Sequence, residues 1–74
     1  MRGTGVTQTV ADAVETARLA SGVSKKALAE TAHIPRPTLN RRLAGVTAFT
    51  VDELERISVA LGVPFTSLLG DVAA

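Results

Sequence analysis

Apolar residues recur along this chain at helical spacing, in short blocks punctuated by glycine, proline and hydroxyl residues. Val10, Val14 and Ala17 share one face of a first block that Gly22 stops. Thr9 with Asp12 supplies a capping box at its start. Residues 1–8, with Gly3, Thr4, Gly5 and Thr7 and no periodicity, are then expected as a flexible arm. Ser24 caps a second block reaching about Ala32, with Leu28 and Ala29 inward. Ile34 precedes Pro35 and is driven extended, which ends that helix. A third block runs from Pro35–Arg36 to Ala44, closed by Gly45 in the left-handed conformation. Its two prolines, Pro35 and Pro37, fit only a first turn, where backbone N–H groups lack helical partners. Thr50 and Glu53 form the clearest capping box, opening a fourth helix with Val51, Leu54, Ile57 and Leu61 on one stripe up to Gly62. Pro64 begins a short fifth helix holding Phe65, Leu68 and Leu69. No block alternates with period two. The pattern predicts an all-α fold, a compact bundle of about five short helices: one domain over residues 9–70, with a tail at 71–74.

Composition narrows the chemistry. The 74 residues allow one domain. Twelve residues are Ala, and Phe49 and Phe65 are the only aromatics, so the core is small and built of Val, Leu, Ile and Ala. There is no Cys and one His, which excludes disulfide scaffolds, zinc fingers and cysteine nucleophiles and fits a reducing compartment. No apolar run approaches the roughly 18 residues of a membrane span, and Met1-Arg2-Gly3-Thr4-Gly5 has no signal-peptide core. A cytoplasmic, nucleoid-associated protein with no membrane partner is the expectation. The net charge of +1 hides a division. Residues 25–42 hold Lys25, Lys26, Arg36, Arg41 and Arg42 against Glu30, while acidic residues outnumber basic ones in the remainder. One basic face would attract polyanions.

The segment Ser24–Gly45 carries the function. It reads as an eight- or nine-residue helix, a three-residue turn, and a second helix that begins with exposed polar residues. Two helices crossing steeply over so short a turn need a small residue at closest approach, and Ala29 stands there. Leu28, Ile34 and Leu39 seal the angle. That packing leaves Arg36, Asn40 and Arg41 on the outer side of the second helix. A helix so presented fits the DNA major groove, where Arg reads guanine bidentately and Asn reads adenine.

Here the sequence resembles the Cro/CI-type (lambda-repressor-like, XRE) helix-turn-helix DNA-binding domains. The resemblance runs from Val10 to Leu69. It rests on Val14, Arg18, Gly22-Val23-Ser24, Leu28-Ala29-Glu30, Ile34, Arg36, Thr38-Leu39, Gly45, Leu54, Ala60-Leu61-Gly62-Val63 and Leu68, all in register. It implies a five-helix bundle that binds operator DNA, with the helix-turn-helix at about 24–44. Four positions depart from the family pattern. His33 stands where the family usually has Gly in a left-handed turn. Arg42 replaces an inward aliphatic residue, with Leu43 expected to take over its packing and leave Arg42 free for phosphate. Leu43 stands where relatives often place Glu as partner to the first-helix arginine, leaving Arg18 to find Glu30 or water. Pro35 and Pro37 replace hydroxyl or amide residues.

Carried over position by position, the resemblance implies Arg36, Pro37, Asn40 and Arg41 as the base-reading set, with Pro37 limited to apolar contact. It implies phosphate contacts at Lys25, and further ones at Lys26, Thr38, Arg42 and Thr47. Arg2 is a candidate minor-groove contact from the arm. No catalytic set is suggested by spacing, and Asp52, Glu53 and Glu55 complement the dipole of the fourth helix rather than serve acid–base chemistry. An enzyme, a cofactor, a metal and a small-molecule substrate are not expected. The function expected is a sequence-specific double-stranded-DNA-binding transcriptional regulator, a repressor of phage or mobile-element type. The rival is a protein-interaction or antitoxin-type partner-binding module on the same fold. Val63, Phe65, Leu68, Leu69 and Val72 exceed what so short a helix buries, so a weak homodimer through about 63–72, formed fully only on DNA, is expected.

Overall fold

A computed structural model of the chain describes residues 5–70, which form an all-α bundle with no strand. Helix α1 (Val6–Ser21) starts earlier than the sequence pattern suggests. Gly5 is its N-cap, in extended conformation and without a side-chain cap bond, and the Thr9 N–H donates to the Gly5 carbonyl at 3.0 Å. Residues 6–8 are therefore helical rather than part of an arm, and Thr9 with Asp12 does not cap. Instead Gln8 Nε2 donates to Asp12 Oδ1 at 2.7 Å, one turn on. The Gln8 side chain also lies against Gly45, where any Cβ would collide with its amide oxygen. A packed Gln8 explains why the first turn is ordered.

Helix α2 (Lys25–Ala32) is capped as expected, with Ser24 Oγ accepting the Ala27 N–H at 3.0 Å. It ends at His33, in the left-handed region at φ 58°. The His33 N–H donates to Glu30 O and the Ile34 N–H to Ala29 O, the paired bonds that end a helix on a left-handed residue. Gly22 and Gly62 end their helices with the same pair of bonds. Helix α3 (Arg36–Leu43) follows Pro35, with Pro37 in its first turn. Ala44 remains right-handed, and Gly45 supplies the left-handed turn at φ 78°.

Helix α4 (Val51–Leu61) carries the full capping box. Thr50 Oγ1 accepts the Glu53 N–H at 3.1 Å, and Glu53 Oε1 accepts the Thr50 N–H at 2.9 Å. Its buried stripe is Leu54, Ile57, Ser58 and Leu61. Val51 does not belong to it: at the first position of the helix it is 71% exposed. The last element is a single 3₁₀ turn, Phe65–Leu68.

The core is centred on Val14, Leu28, Leu39, Ile57 and Leu68, all fully buried. Helix α2 packs chiefly on α4, and the 3₁₀ turn lies against α1 and α4. Of the five apolar residues expected to pair two copies, the four among the described residues pack wholly or partly on the core. Leu68 is fully buried, while Val63, Phe65 and Leu69 are half-buried against the core. Their side chains close the bundle. Val72 lies outside the described residues. No helix among the described residues is long and apolar enough to cross a membrane.

Candidate nucleic-acid interface

The residues of α3 differ sharply in burial. Leu39 is buried and Leu43 half-buried, both in contact with the core. Arg36, Pro37, Asn40 and Arg41 are exposed, and Thr38 is half-buried. The turn that sets α3 against α2 depends on Ala29, 3% exposed, and on Ile34, also 3% exposed. Arg56 Nε on α4 donates to the Ala32 carbonyl at 2.7 Å and so ties down the end of α2 just before the turn. Lys25 and Lys26 are exposed at the opposite end of α2, beside the capped N-terminus. Arg2 lies outside the described residues.

Arg42 is placed otherwise than expected. It is not free: Nε and Nη2 donate to the two carboxylate oxygens of Glu53 at 2.9 and 3.2 Å. Its Nη1 donates to Thr47 Oγ1 at 2.7 Å, so Thr47, although exposed, is engaged as well. Arg42 stands in the last turn of α3 and reaches Glu53 in the first turn of α4. Glu53 is itself buried, at 8% exposure. Burial alone would raise its pKa, but the hydrogen bonds from Arg42 and from the Thr50 N–H outweigh that and hold it below the ordinary carboxylate value. The spacing that made Glu53 a cap residue gave no sign of this second role.

Arg18 also finds a different partner. Its guanidinium pairs with Glu15 on its own helix, at 2.7 and 2.9 Å, and Nη1 donates to the Val23 carbonyl at 2.8 Å. The hydrogen bond from Arg18 lowers the Glu15 pKa. Neither Glu30 nor water is needed.

Two short helices joined by a three-residue turn, with a polar face on the second, define a helix-turn-helix protein with DNA-binding potential. The helix-turn-helix family model of the XRE (Cro/CI) type matches residues 14–68, and the chain belongs to that family. Among curated proteins, none matches the chain. Helix-turn-helix DNA-binding domains are not catalytic, and the described residues contain no group of three His, Asp or Glu side chains able to hold a metal.

Proposed function

We propose that this chain is a sequence-specific DNA-binding transcriptional regulator, a repressor of phage or mobile-element type, that inserts α3 into the major groove. One observation carries the reading: Arg36, Pro37, Asn40 and Arg41 stand exposed on α3 while Leu39 and Leu43 hold the helix to the core. In this reading Arg36 and Arg41 read guanine, Asn40 reads adenine, and Pro37 touches a thymine methyl group. Lys25 and Lys26, at the N-terminal end of α2, meet phosphate, where the helix dipole also favours an anion. Thr38 is a further phosphate contact at the edge of the same face. Two copies on a twofold-symmetric operator complete the proposed mode of binding.

Selection of bound sites from random DNA, followed by mobility shifts over a salt series, tests the proposal. A preferred site should emerge, and affinity should fall steeply with salt as counterions return to the phosphates. Little affinity at any salt would overturn it and leave the family fold serving a protein partner.

A further inference from the structure

The inward face of α3 is short, and one of its three members is charged. Of its eight residues only Leu39 is buried. Leu43 adds partial burial, and the half-buried Arg42 reaches α4 through Glu53. All three guanidinium nitrogens of Arg42 are engaged, two on Glu53 and one on Thr47. Glu53 Oε1 also accepts the Thr50 N–H. A single carboxylate thus joins the end of α3, the following loop and the start of α4.

We propose that Arg42 and Glu53 are positioning residues for DNA readout. The pair fixes the tilt of α3, and with it the placement of Arg36, Asn40 and Arg41, without touching nucleic acid itself. This rests on the DNA-binding reading above. Drawing Arg42 away to a phosphate would strand a buried carboxylate, the expensive way to break such a pair. A binding constellation, for its part, must be held within about 10–20° of its productive geometry.

The test measures affinity of the full chain for its selected operator and for a scrambled duplex, over a salt series, at a temperature where circular dichroism shows every variant folded. Arg42→Met removes a positive charge. Glu53→Gln removes a negative one while keeping the cap, since Gln also closes a capping box. Charge alone would move DNA affinity in opposite directions in the two variants. Positioning predicts instead that each lowers the operator-to-scrambled ratio by about tenfold, and that the losses do not add in the double variant. The salt slope should stay at the wild-type value in both, whereas the control Lys25→Ala makes it shallower by about one. A slope shallower by one in Arg42→Met, a ratio that is unchanged or raised in Glu53→Gln, or additive losses would each overturn the positioning role alone. A wild-type chain that does not distinguish operator from scrambled duplex would overturn it together with the DNA-binding reading.

Discussion

Among the described residues, His33 is the one residue besides glycine that holds a positive φ. A left-handed conformation costs an L-residue roughly 1–2 kcal/mol, and histidine tolerates it better than most. His33→Gly should therefore leave stability unchanged or raise it by up to about 1 kcal/mol, because the extra unfolded-state entropy of glycine offsets part of the relief. Urea denaturation measures this, and a clear loss would mean that the imidazole makes a contact of its own. At the reading face, Arg36→Ala or Arg41→Ala should cost about 1–3 kcal/mol on the best site and relax the preference at one base pair. Competition with single-base operator variants checks it; a uniform loss over all sequences would make that arginine a phosphate contact. The exposed set was legible because α3 offers only Leu39 and Leu43 to the core, which leaves its polar residues to solvent. The partners of Arg18 and Arg42 were not. Ion pairing depends on which carboxylate the fold brings close, and for Arg42 that carboxylate comes from another helix.

Among the elements, α4 begins with the most complete local signal and obeys it. Thr50→Ala should cost about 1 kcal/mol in a thermal melt, the usual loss of an N-cap. The ionisation of Glu53 adds a pH dependence in the same place. Glu53 and Glu15 are both more acidic in the fold than the ordinary carboxyl value of 4.5. Each therefore stabilises the fold fully above that value and loses its contribution as the pH falls through the depressed one. The melting temperature should decline below pH 4.5, and less steeply in Glu53→Gln; equal declines would remove Glu53 from the account. Ala29→Leu tests the α2–α3 crossing, where overpacking should cost roughly 1–3 kcal/mol. A variant of undiminished stability would show that the helices do not meet at Ala29. Helix interiors and C-terminal caps were readable, since glycine and apolar spacing act locally. The start of α1 was not, because it depends on Gln8 packing beside Gly45 across the bundle. The last helix shrank to a 3₁₀ turn for a related reason: its apolar residues are drawn into the core over too few residues to complete an α-helix.

Across the whole molecule, charge is sorted by element. The cations of residues 25–42 lie in α2 and α3, whereas α1 and α4 carry most of the acids. A helix of eight residues spans only about 12 Å, a few base pairs, so in the proposed mode one α3 would read too little sequence to stand out among genomic sites. Sedimentation of the complex should find two copies per selected operator, with half-sites about 34 Å apart; one copy on a non-palindromic site would refute the paired mode. The single buried residue of α3 has a further consequence, in how the native state breathes. Helices α2 and α4 each bury several side chains against one another, so their amides should exchange with solvent only through global unfolding. Helix α3, pinned by Leu39, should open on its own and exchange faster. The helix proposed to meet DNA would then be the least protected of the described helices, and a bound operator would slow exchange there first.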